Sequence, residues 1–260
     1  MIMKRPNFLL CFIAVIMVYN SCKKDSPNID CNSYPIPSDT YKYPILPGTP
    51  AWANLQTGQQ RLQACQIPDS ILSKISTEGL IQSWLDFPLN NEIFSSNSPQ
   101  NAIEYFIINF SGLRELVKRN DVADKLYKRY QLLNPSCITI YPTGVEQGKF
   151  TFIFTYIKLA LAQDTILNKM PLQHKKTLMR EALGKYELLK KYSQYYDGFT
   201  IDLSLFICAR TMVNCQYQPF LNQINNNLLW FINNALFPIP VGDYSVEKNI
   251  IISHALNFIN

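Results

Sequence analysis

From about Trp52 onward, apolar residues recur at three- and four-residue spacing, the period of helices that bury one face. Behind Ser98-Pro99, a cap followed by a first-turn proline, one face carries Ala102, Ile103, Phe106, Ile107 and Phe110. Ser111-Gly112 interrupts the pattern, which Leu113, Leu116 and Val117 resume. Asn120 is placed to cap the next helix, with Val122, Leu126, Tyr127, Tyr130 and Leu133 on its buried side. Asp121 with Lys125, and Asp124 with Lys128, are favourable i,i+4 pairs on the solvated side, and Asn134-Pro135 ends the helix. The stretch Pro171–Tyr196 gives the clearest stripe, through Leu178, Ala182, Leu183, Tyr186, Leu189 and Tyr192. Glu181 with Lys185 and Glu187 with Lys191 support it, and Asp197-Gly198 closes it. Further helices are expected over about 200–214, 217–236 and 244–259.

One segment is ambiguous by pattern. Phe150, Phe152, Phe154 and Tyr156 alternate with Thr151, Ile153, Thr155 and Ile157, as in a strand. The run enters Lys158–Leu167 with no turn signal, and no partner strand is evident. A lone strand is not stable, so a central helix over about 148–168, apolar nearly all round, is expected. The fold class is therefore all-α: a compact array of about eight or nine helices over 52–260. No repeat of 34 or 40 residues marks a solenoid.

Ahead of this domain, Ser26 to Pro50 contains Pro27, Pro35, Pro37, Pro44, Pro47 and Pro50, with Tyr34, Tyr41 and Tyr43. Proline at this density excludes regular helix or central strand. Residues 22–51 read as a Pro-rich, semi-extended tether. The alternative is that the second half, with Tyr41, Tyr43, Ile45 and Trp52, packs along the globule. Residues 1–21 read as an address. Lys4 and Arg5 precede twelve apolar or aromatic residues, Phe8 to Tyr19. A membrane span needs roughly 20 such residues, so twelve suits a signal peptide.

Asn20-Ser21-Cys22-Lys23-Lys24-Asp25 resembles the lipobox of bacterial lipoproteins, in which a small residue precedes an acylated cysteine. Ser21 fits the small position, with cleavage between Ser21 and Cys22, and Cys22 fits the acylated one. Tyr19 and Asn20 depart from the usual residues, a looseness similar to that of Bacteroidota lipoproteins. The resemblance implies lipid attachment, in palmitate-type chains, at Cys22. Two or more such chains anchor a protein stably. It also implies a location in the cell envelope, in the outer membrane on either the periplasmic face or the cell surface.

Composition adds limits. With 47% hydrophobic and 17% charged residues, the chain is too apolar to be disordered throughout. Nine glycines disfavour a glycine-rich nucleotide fold. Loss of Lys4 and Arg5 lowers the net charge from +5 to +3, which gives no footprint for nucleic acid. After Cys22, five cysteines remain as residues 31, 65, 137, 208 and 215. Export permits disulfides, an odd count leaves at least one thiol free, and buried apolar thiols are the plainer reading.

The run from Cys65 to Leu80 with Trp84-Leu-Asp-Phe-Pro88, and Phe110 to Arg119, resembles uncharacterised exported or lipid-anchored helical proteins of Bacteroidota. That resemblance implies no activity. Asp69-Ser70-Ile71 and Asp164-Thr165-Ile166 resemble the acceptor motif for O-glycosylation in these bacteria, which makes Ser70 and Thr165 candidate acceptors. Thr165 is expected late in a buried helix.

The two histidines, His174 and His254, have no cysteine neighbour at ligand spacing, and no HExxH, GxSxG, Walker or dinucleotide motif occurs. No metal, cofactor or catalytic residue is assigned. Tyr192, Tyr195, Tyr196 and Phe199 recur around one helix end; exposed, they would form a stacking platform for a sugar ring or a partner. The leading expectation is a lipid-anchored, non-catalytic binding or scaffold protein acting through an envelope protein partner. The alternatives are a glycan or small-ligand binder and a hydrolase without a recognisable motif.

Overall fold

Side-chain caps open seven of the fourteen α-helices among the described residues. Thr49, Thr57, Ser76, Ser98, Thr143, Asp197 and Asn225 each accept a first-turn backbone N–H through a side-chain oxygen. The computed structural model describes residues 31, 34–96, 98–238 and 242–260. Ser21, Cys22 and the rest of the expected leader lie outside the described residues. Among the described residues the regular structure is helical throughout, and nine α-helices have seven or more residues. In chain order they are α1 (Pro50–Ala53), α2 (Gly58–Ala64), α3 (Asp69–Leu72), α4 (Thr77–Leu85), α5 (Pro99–Asn109), α6 (Ser111–Leu116) and α7 (Val122–Leu132). Then follow α8 (Gly144–Leu161), α9 (Asp164–Leu167), α10 (Leu172–Lys191), α11 (Gly198–Asn214), α12 (Gln218–Leu221), α13 (Asn226–Asn234) and α14 (Ser245–Ile259). Short 3₁₀ turns occupy Asn90–Ile93 and Pro135–Ile140.

The ambiguous segment 150–157 is helical, inside α8. From Phe154 to Leu161 every residue of α8 is buried, so no single apolar stripe is visible there. The helix is shorter than expected: it stops at Ala162, and α9 starts separately. Likewise the expected helix 217–236 is split into α12 and α13. The cap of α7 is Asp121, not Asn120. Its carboxylate accepts the Thr77 hydroxyl (2.7 Å). Lys125 pairs with Glu78 on α4 instead of Asp121. Asp124 faces His174 (3.5 Å) instead of Lys128. Glu187 pairs with Lys190, not Lys191, whereas the Glu181–Lys185 pair forms (2.5 Å). In each correction a neighbouring element or a closer rotamer offers a better partner than the helix's own next turn.

The core centres on α11, which packs against α8, α10 and α14. Residues from Thr200 to Ala209 are buried except for partly exposed Asp202.

A local unit recurs four times. The one-turn helices α1, α3, α9 and α12 each begin eight residues before a longer helix, respectively α2, α4, α10 and α13. In each, the amide of the fourth residue (Ala53, Leu72, Leu167, Leu221) donates to the carbonyl preceding the turn (Thr49, Pro68, Gln163, Tyr217) at 2.9–3.1 Å. The next amide, of Asn54, Ser73, Asn168 or Asn222, donates to the first residue of the turn. In α3, α9 and α12 the turn is an apolar plug, with Leu72, Ile166, Leu167 and Phe220 in the core, whereas α1 buries no residue.

The proline-rich segment follows the second of its two expected courses. Tyr43 is buried, its hydroxyl donates to the Ser83 carbonyl (2.8 Å), and the Tyr41 amide donates to Ser83 Oγ (2.8 Å). The Ser76 amide donates to Asp39 Oδ2 (2.7 Å), and the Arg129 guanidinium lies 3.7 Å from the Tyr34 ring centroid. Gly79 is the point of closest approach. A Cβ there would stand 2.5 Å from Asp39 Oδ1 and 2.8 Å from Ile75 Cγ2, so a larger residue would displace the Asp39 side chain. The segment is closed at its start by a Cys31–Cys137 disulfide, 106 residues apart in sequence. This corrects the reading of Cys31 and Cys137 as thiols. Cys65, Cys208 and Cys215 are free.

Cross-linking so long a loop restricts the unfolded chain strongly. The Cys31→Ala/Cys137→Ala variant should lose about 2–5 kcal/mol in chemical denaturation. Its midpoint should no longer respond to reductant, whereas that of the parent chain should.

Candidate functional site

The expected aromatic platform is divided by the fold. Tyr196 is core: it is 2% exposed, meets Phe154 edge to face, and donates its hydroxyl to the Pro135 carbonyl (2.8 Å). Tyr192 is the half-buried residue that ends α10, and Tyr195 is exposed. Phe199 alone faces a cavity of about 660 Å³. These four residues therefore do not form one surface.

The basic residues around His174 also separate. Lys175 donates to Asn214 Oδ1 (2.6 Å), Lys176 lies over the Phe258 ring, and Arg180 donates to the Ile259 carbonyl (3.2 Å). His254 sits edge-on to Tyr217 and Phe220, with Nδ1 buried and unpartnered. Among the described residues no group of three His, Cys, Asp or Glu side chains could hold a metal ion. No helix among them is long and apolar enough to cross a membrane.

Ser70 and Thr165 occupy equivalent places, the second position of α3 and of α9, and both are exposed. Thr165 does not lie late in a buried helix, because Gln163 opens a new turn with an extended backbone. The same position holds Ala51 in α1 and Pro219 in α12. The turn therefore does not need a hydroxyl there.

The cavity that Phe199 faces is a groove where the starts of α11 and α14 meet the segment after the Asn90–Ile93 turn and the end of α13. A helix cap and a turn hydrogen bond position two of its carboxylates. Asp197 Oδ1 accepts the Thr200 amide (2.6 Å) to start α11, and Asp243 Oδ1 accepts the Ser245 amide (2.9 Å) at the start of α14. That bond to Ser245 holds the Asp243 carboxyl below the usual range. Asp202, one turn into α11, pairs with Lys248 of α14 at 2.8 Å. Burial pushes the Asp202 carboxyl up, against the opposing pull of Lys248.

Aromatic rings line the walls. Phe94 meets Phe199 edge to face (6.2 Å). Phe231, Phe237 and Tyr244 form a parallel column with centroids 4.2 and 4.7 Å apart. The Tyr244 hydroxyl donates to the Pro238 carbonyl (2.7 Å). Lys248 Nζ lies 5.6 Å from the Phe237 ring centroid. Of these residues, sequence reading singled out only Asp197, as a helix stop, and Phe199. Phe94, Asp202, Asp243 and Lys248 come from elements too far apart in sequence for spacing to reveal them.

Behind the groove, Lys158 is fully buried and donates to the Thr200 carbonyl (2.6 Å). Burial drives its ammonium well below the ordinary lysine range; the Lys185 charge adds to this, and Asp197 and Asp202 oppose it.

Comparison with protein-family models, with curated proteins and with solved structures finds no match for this chain. Any functional reading therefore rests on the residues themselves.

A lysine whose folded pKa lies below its unfolded value costs stability whenever the unfolded chain holds the extra proton. Stability should rise with pH up to the unfolded lysine value of 10.5. Lys158→Met should raise stability by about 1 kcal/mol or more. It should also flatten the rise of stability with pH below 10.5, read from denaturation midpoints at a series of pH values. A destabilised variant with an unchanged slope would contradict this.

Proposed function

We propose that the chain is an exported, lipid-anchored envelope protein that acts without catalysis, as a binding or scaffold protein for a protein partner. The observation that carries the export half is the Cys31–Cys137 disulfide. Such bonds persist in oxidising compartments and are rare in the cytosol. The lipobox-like Ser21-Cys22 supports an anchor at Cys22. The disulfide would then lie nine residues beyond the anchor in sequence. The binding half is supported by the exposed apolar side chains Tyr105, Ile108, Leu229 and Trp230, carried on the packed helices α5 and α13. In this reading the outer membrane is the anchoring surface, on its periplasmic or external face. Ser70 and Thr165 are glycan acceptors, because both hydroxyls are exposed at turns that fold without them.

A second reading, a binder of a glycan or other small ligand, is favoured by the aromatic groove around Phe199 and the Asp202–Lys248 pair.

In-cell cross-linking of the tagged chain, followed by mass spectrometry, tests the partner. One dominant envelope protein should be captured, and the Cys22→Ala variant should lose it. No protein above background would overturn the scaffold reading. Peptide mass mapping of the chain from its own host tests the acceptors. Added sugar mass should appear on peptides with Ser70 or Thr165 and vanish in the alanine variants, with the thermal midpoint of the unmodified chain unchanged.

A further inference from the structure

A second groove, of about 700 Å³, lies between the end of α4 with the segment after it and the start of α8. Two glycines keep it open. Gly144 and Gly148 stand one turn apart on α8, and a Cβ at either would meet no atom within 4 Å. On the opposite wall the polar groups are held from inside the domain. Arg129, 6% exposed, donates to Gln82 Oε1 (2.9 Å), and Gln82, 8% exposed, donates to Asp86 Oδ1 (3.0 Å). Buried groups thus fix the direction of an exposed carboxylate. Asn90 is 3% exposed, and its Nδ2 donates to the Trp84 and Leu85 carbonyls. That leaves Asn90 Oδ1 buried with no partner. A buried acceptor without a donor is costly, so an unpaired one on a residue that lines a groove points to a donor brought by a ligand.

The groups left for that ligand are balanced. Asp86 Oδ2 and Asn90 Oδ1 accept. Lys149 Nζ and Asn91 Nδ2 donate, since Asn91 Oδ1 already takes the Tyr156 hydroxyl (3.0 Å). Of the lining residues only Asp86 and Lys149 carry charge, and the two cancel. Half-buried Phe152 and Ile153 add apolar surface. We propose that this groove binds one ring of a neutral saccharide. Each hydroxyl of such a ring both donates and accepts, so the ring serves paired donors and acceptors that an apolar body or a single ion would leave unpaired. Hydroxyls would donate to Asn90 and Asp86 and accept from Asn91 and Lys149, with a C–H face of the ring against Phe152. The volume is within the range of small-molecule sites. This inference concerns a different groove from that around Phe199, and it rests on neither the anchor nor a partner protein, so it can fail while the scaffold reading stands.

The test is saturation-transfer NMR and calorimetric titration of the purified full chain. The probes are the methyl pyranosides of glucose, galactose and mannose. Glucuronate and glucosammonium are the charged counterparts, and cyclohexanol the hydroxyl-poor one. At least one glycoside should bind saturably, one to one, and more tightly than all three counterparts. Gly148→Leu puts a side chain into the groove without a clash at Cβ, and leucine favours a helix more than glycine does. This variant should bind at least about tenfold more weakly, with a thermal midpoint no lower than that of the parent chain. Asp86→Ala, at an exposed position, should weaken binding as well. No binding by any of the three glycosides, tighter binding of a counterpart, or parent affinity in either variant would overturn the proposal.

Discussion

Residues 34–48 contain no helix; within the segment Thr40 closes one turn on the Pro37 carbonyl. Its position depends on what fastens it at intervals. The Cys31–Cys137 bond fixes the start, Asp39 and Tyr43 fix the middle on α4, and the Thr49 cap of α1 fixes the end. The buried hydroxyl of Ser83 shows how tightly these are linked. It accepts the Tyr41 amide and donates to the Gly79 carbonyl (2.7 Å), joining segment and helix in one hydrogen-bonded unit. The disulfide makes the arrangement economical in entropy, because the unfolded chain loses the same freedom that folding would otherwise remove. A chain built in this way suits an oxidising environment.

The polar groups inside the domain divide into two kinds. Thr155 with Thr200 (3.1 Å) and Lys158 with the Thr200 carbonyl lie in the seam between α8 and α11. There they join the two helices by hydrogen bonds inside the core. Asp202 and Lys248 lie at the edge of that seam and join α11 to α14, where the core opens into the groove. The core thus becomes more polar toward one end of α11, and the aromatic walls meet the carboxylates there.

The fold class was legible because the stripe of α10 and the caps at Ser98 and Ser76 are local signals. The fourfold recurrence of the one-turn helix was not. Its copies begin at residues 50, 69, 164 and 218, at no fixed period, and they share hydrogen bonding more than sequence. Thr165 was misplaced for the same reason: Ala162 and Gln163 look helical, and only an extended backbone at Gln163 separates α8 from α9. Lys125 and Asp124 found partners on other elements, which i,i+4 spacing cannot register. The candidate site was the least legible part. Of its carboxylates, only Asp197 carried a turn signal, and Asp202 gains its meaning from Lys248, 46 residues later.

The central claim, an exported chain anchored at its N-terminus and closed by a disulfide, is tested most directly by non-reducing peptide mass mapping. The material is full-length protein extracted from its native envelope. The account predicts an N-terminal peptide that begins at acylated Cys22 and a cross-linked peptide joining Cys31 to Cys137. An unprocessed peptide beginning at Met1, with both Cys31 and Cys137 recovered as free thiols, would contradict it.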